Sequence, residues 1–123
     1  MDNILKNKLR ERVLWFWGFF GSKRDKVAYI STEEWPYIER WTNYIFDDFL
    51  VRLSKHYPNL SHNDLRICCL IKLKVDRLHI ASLMGISPSS VSTCKFRIKK
   101  KIDAGNVNKI LNHMSLESYL LTF

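Results

Sequence analysis

The chain has 123 residues, enough for one hydrophobic core and too few for several domains. A hydrophobic content of 46% with 13% aromatics excludes disorder, and a net charge of +8 points to a partner of opposite sign, either nucleic acid or an anionic membrane surface. The basicity belongs to the two ends: Lys95, Arg97, Lys99, Lys100, Lys101 and Lys109 face only Asp103 and Glu117 after Ile86, whereas Tyr29 to Leu60 is acidic through Glu33, Glu34, Glu39, Asp47 and Asp48.

Residues 2–20 can form a helix with Leu5, Leu9, Val13, Phe16 and Phe20 near one face. That segment either packs on the domain, pairs with a second chain, or lies on a membrane surface through residues 13–20, where Trp15 and Trp17 suit the interface. A truncated upstream region is the remaining reading. The apolar run Val13 to Phe20 is too short to span a bilayer, and no small-residue cleavage site follows its basic flank. Gly21 to Lys26 is polar and reads as a linker, dividing an N-terminal segment (1–26) from a helical domain (27–123).

Ser31 and Glu34 have capping-box spacing, although Pro36 moves the expected helix start toward Trp35. From there Ile38, Trp41, Ile45, Phe49 and Leu53 step by three or four, predicting one long amphipathic helix up to Tyr57-Pro58. Ser61 caps the next helix with Asp64 at the N3 place, and Leu65 to Ile71 leaves almost no polar face, so this helix is central. Lys72 to Val75 is its expected fraying end. Three cysteines, Cys68 and Cys69 adjacent, make a poor disulfide framework and suit small apolar residues in a reducing cytoplasm.

Asp76 caps a short helix with Leu78, Ile80, Ala81, Leu83 and Met84 apolar, and Gly85 stands where a left-handed residue ends it. Ser87 caps a second helix with Pro88 at its first position and Val91, Cys94, Ile98 and Ile102 on its inner side. Together these predict a helix-turn-helix whose second helix enters the major groove of DNA. At about 100° per residue, Ser89, Ser92, Thr93, Phe96 and Lys100 point away from the apolar stripe, with Arg97 and Lys99 beside them. Small hydroxyls suit base edges, and the cations Lys95, Arg97, Lys99, Lys100 and Lys101 suit phosphates. The competing reading is a solvated amphipathic helix with a basic end. Beyond Asp103, two short stripes remain: Val107, Ile110, Leu111 and Met114, then Leu116, Tyr119, Leu120 and Phe123, with Ser115 as a cap. They are expected to dock on the core or, as the alternative, to form a dimer interface.

The run Leu60-Ser-x-x-Asp-Leu-Arg-x-Cys-x-Leu-Ile-x-Leu, then Ile80-Ala-x-Leu-Met-Gly-Ile-Ser-Pro-x-Ser-Val, then Arg97-Ile-x-Lys-Lys-Ile resembles the LuxR-type (GerE-like) C-terminal effector domain. It is most similar to the bacterial branch found behind tetratricopeptide repeats or two-component sensor modules, and the resemblance covers about residues 31–103. It implies an all-α, four-helix domain of the winged-helix-like superfamily that regulates transcription, commonly as a dimer on a symmetric site. Carried over, the base-reading places fall on Ser92, Thr93 and Phe96, and the phosphate-contacting places on Ser89, Ser90, Lys95, Lys99 and Lys100, with Arg97 added by its position on the basic flank. Two positions depart from the family: Ser92 stands where many members carry Lys, and His79 where many carry an acidic residue.

No Gly-rich phosphate loop, HExxH or CxxC is present, and Asp47 and Asp48 face different ways on a helix, so no enzyme, cofactor, metal site or small-molecule substrate is expected. The reading is a cytoplasmic, sequence-specific DNA-binding regulator acting through residues 87–102. The alternative is a protein-interaction module that keeps a helix-turn-helix fold and binds RNA polymerase, another regulator or the membrane surface.

Overall fold

The computed structural model describes residues 29–106 and 114–123, which form six α-helices and no strand. The helix expected over residues 2–20, the linker at 21–26 and the stripe residues Val107, Ile110 and Leu111 lie outside the described residues.

Side chains set where the helices begin. Ser31 and Glu34 exchange backbone-to-side-chain hydrogen bonds at 3.0 and 3.3 Å, one turn ahead of α1 (Trp35–Ile45). Pro36 falls in the first turn of α1, where a missing N–H removes no helical bond.

The single long helix expected from Trp35 to Tyr57 is two helices. The chain breaks after α1 and resumes as α2 (Phe49–His56), because Asp47 and Asp48 both adopt left-handed backbone at φ 53° and 56°. Aspartate tolerates that region better than most residues, and the surroundings hold it there. Arg52 donates from Nε to the Asp47 carbonyl (2.7 Å), from Nη2 to the Phe46 carbonyl (3.0 Å) and from Nη1 to the Phe123 carbonyl (2.7 Å). Asn43 accepts the Leu50 N–H on its side-chain oxygen at 2.8 Å. These bonds satisfy the Phe46 and Asp47 carbonyls and the Leu50 N–H at the break.

Ser61 and Asp64 form the expected reciprocal box at α3 (His62–Lys72), with bonds of 3.0 and 3.1 Å. Ile67, Cys68, Cys69, Leu70 and Ile71 are all buried, and α3 packs against the helices on every side of it. The thiols are free; burial pushes Cys69 up to about 12 despite its hydrogen bond with the Thr42 hydroxyl, and pushes Cys68 up as well. Both are core residues rather than nucleophiles.

The end of α3 does not fray. Lys72 is buried, stacks over Phe49 (4.8 Å), and donates to the carbonyls of Leu120 (2.9 Å) and Leu121 (3.2 Å). Lys74 then turns the chain with a φ of 63°. Helix α4 (Arg77–Met84) starts on the Asp76 cap and ends at Gly85, φ 68°. The Gly85 N–H bonds to the Ser82 carbonyl and the Ile86 N–H to the Ala81 carbonyl, a Schellman closure. Helix α5 (Pro88–Ala104) follows from the Ser87 cap and packs on α4 and α3 through Val91, Ile98 and Ile102.

After residue 113 the chain returns as α6 (Leu116–Thr122), capped by Ser115 and docked on α3. Leu116 and Leu120 are buried there, a contribution of about 2 kcal/mol each. The expected docking of this stripe on the core is observed, while Met114 is 38% exposed. No helix among the described residues is long and apolar enough to cross a membrane.

Candidate nucleic-acid interface

The seventeen residues of α5 span about 25 Å at 1.5 Å per residue. Its inner stripe is anchored by Val91, Ile98 and Ile102, all fully buried, so the opposite face is fixed in orientation. That face is open. Ser89, Ser92, Thr93, Phe96, Arg97 and Lys100 are exposed, Phe96 at 60%, and no described segment covers them.

The hydroxyls occupy the N-terminal half. Ser87 accepts the Ser90 N–H at 3.1 Å, and its hydroxyl also pairs with those of Ser89 (3.1 Å) and Ser90 (2.8 Å). Thr93 donates to the Ser89 carbonyl at 3.1 Å, which fixes its hydroxyl hydrogen and leaves its oxygen free to accept. Ser92 is more committed. It donates to the Pro88 carbonyl and accepts from Arg77 at 3.2 Å. Arg77 was not among the residues singled out from the sequence; it opens α4 with no periodic signal, and only the crossing of α4 over α5 brings it to this face.

The cations divide into two flanks. Lys95 and Lys99 lie on the side of α6. Lys95 is 20% exposed and ion-paired with Glu117 at 2.7 Å. Burial alone would push the Glu117 carboxyl up, but the hydrogen bond from Lys95 and the nearby Lys99 charge hold it below its usual value. On the other flank, Arg97 (3.1 Å) and Lys101 (2.6 Å) share the fully buried carboxylate of Asp64. Burial pushes that carboxyl up as well, yet Lys101, the Ser61 backbone N–H and Arg97 together hold it below its ordinary value. Between the flanks, Lys100 stacks over the Phe96 ring at 4.6 Å.

Of the nine residues singled out, the structure therefore gathers Ser89, Ser90, Ser92, Thr93, Phe96, Arg97 and Lys100 on or beside one exposed strip. Lys95 and Lys99 sit round the shoulder toward α6. Each flank is matched by one carboxylate from another helix, a feature the sequence reading passed over. Glu117 had a signal, being the sole carboxylate between Ala104 and Phe123. Asp64 had none beyond its capping place.

No cluster of three or more His, Cys, Asp or Glu side chains with metal-binding geometry occurs among the described residues. The hollow lined by Glu39, Asn43, Leu50, Ser54 and His62 is a shallow surface depression. The chain matches no family model, no curated protein and no solved structure.

Proposed function

We propose that the protein is a sequence-specific, double-stranded DNA-binding transcriptional regulator of the LuxR type, with α4 and α5 as its helix-turn-helix and α5 in the major groove. The observation that carries this reading is the outer strip of α5: hydroxyls and an aromatic at the centre, cations on both shoulders, on a rod held rigidly from behind. A helix fits the major groove in width, and cations on both sides of it meet the phosphates of the two strands. Thr93 and Phe96 are the base-reading pair in this arrangement, Phe96 against a thymine methyl. Ser89, Ser90, Lys99, Lys100 and the exposed edge of Arg97 hold the backbone. Binding as a dimer to a symmetric site follows from the resemblance and belongs to the same proposal.

The test is enrichment of bound duplexes from a random pool at stated salt, with the full chain and with Thr93→Ala and Phe96→Ala. A consensus that shifts in the variants supports the assignment. Enrichment of nothing, or one consensus shared by all three proteins, removes it.

A protein-interaction module is favoured by a different surface. Tyr37 and Tyr44 of α1 are 59% and 49% exposed on a face remote in sequence from α5. If that surface is the functional one, Tyr37→Ala with Tyr44→Ala abolishes regulation of a reporter while leaving duplex affinity intact.

A further inference from the structure

The ion pair between Lys95 and Glu117 has a consequence for affinity. Helix α6 reaches the shoulder of α5 with one charged side chain, and that side chain is acidic. The Glu117 carboxylate lies 2.7 Å from the Lys95 ammonium, and Lys99 lies close enough to feel its charge. Glu117 is itself 45% exposed, so it faces solvent at the edge of the strip where a phosphate would approach. Its position is not adjustable by drift of α6. Leu116 and Leu120 are buried on either side of it, Lys72 holds the carbonyls of Leu120 and Leu121, and Arg52 holds that of Phe123.

We propose that Glu117 is a built-in phosphate mimic: it occupies Lys95 in the free protein, must be displaced when a DNA phosphate approaches that shoulder, and so sets the affinity of the α5 interface below what its cations would allow. This inference rests on the DNA-binding reading. Glu117 is 45% and Lys95 20% exposed, so water reaches the pair and weakens it, and exchange of carboxylate for phosphate is feasible. What the carboxylate adds is a fixed negative charge beside the duplex. Its removal frees Lys95 to release one further counterion from the DNA.

The experiment is a double-mutant cycle on the full chain, titrating a fluorescent duplex taken from the enriched pool across a series of salt concentrations. Wild type, Glu117→Gln, Lys95→Ala and the double variant are compared, with thermal melts to show that each is folded. Glu117→Gln is expected to tighten binding about fivefold at low salt, the size of a strong exposed pair. The slope of log affinity against log salt steepens by about one. Lys95→Ala is expected to cost little in wild type and about fivefold in the Glu117→Gln background. Unchanged affinity for Glu117→Gln, or an equal cost of Lys95→Ala in both backgrounds, overturns the inference and leaves DNA binding standing. Absence of duplex binding by both wild type and Glu117→Gln overturns the two together.

Discussion

Asp64 joins the helix before the α4–α5 pair to the helix that forms the proposed interface, and its replacement is the sharpest test of how α5 is held. The carboxylate has no exposed surface, closes the capping box of α3 and receives both Lys101 and Arg97. Losing the cap costs about 1 kcal/mol. Stranding two buried cations would cost considerably more, but Arg97 and Lys101 are 49% and 28% exposed and can turn to water. Each of those pairs is therefore discounted to about 0.5–1 kcal/mol. Asp64→Ala should lose about 2–3 kcal/mol in urea denaturation, a melting point lower by about 10 °C for a domain of this size. Asp64→Asn, which keeps an acceptor for the cap, should lose about half as much. The pH dependence has a definite sign. Because the folded carboxyl is depressed, its contribution is complete above its ordinary value of 3.8 and disappears as pH falls through the depressed folded value. Asp64→Asn should flatten the acid limb of the stability curve in that window. A loss for Asp64→Ala no greater than that of a cap alone, with an unaltered acid limb, would refute the clamp.

Lys99→Ala with Lys100→Ala should weaken binding to all duplexes alike and lower the salt slope by about two, read by fluorescence titration. Gly85→Ala should cost about 1 kcal/mol in denaturant melts through its left-handed φ of 68° alone, since the nearest atom to an added Cβ is 4.0 Å away. Lys72→Met keeps the apolar stem but removes the donor to Leu120 and Leu121. Amide exchange over 116–122 should then accelerate, by an amount equivalent to about 1.5–3 kcal/mol.

The features legible in the sequence were local ones. Ser61 with Asp64, Asp76, Gly85, Ser87 with Pro88, and Ser115 each act on groups within five residues, so residue type and spacing alone mark them. The outer strip of α5 was legible for the same reason, since helical period places Thr93, Phe96 and Lys100 together. What escaped depends on distant partners. The break at Asp47 and Asp48 is held by Arg52, which also reaches the carbonyl of Phe123 at the other end of the chain. Lys72 reads as a solvated helix end until α6 supplies carbonyls for it. The sharing of Asp64 by Arg97 and Lys101 spans more than thirty residues and leaves no periodic trace. Cations on a basic helix look equivalent in sequence; carboxylates from α3 and α6 make them different.

Amide shifts of the isotopically labelled full chain, followed during titration with a duplex from the enriched pool, test the proposed interface most directly. Expected are saturable changes at Ser89, Thr93, Phe96 and Lys100, with Tyr37 and Tyr44 of α1 unmoved. Changes centred on α1 with a silent α5, or none anywhere at saturating duplex, would contradict it.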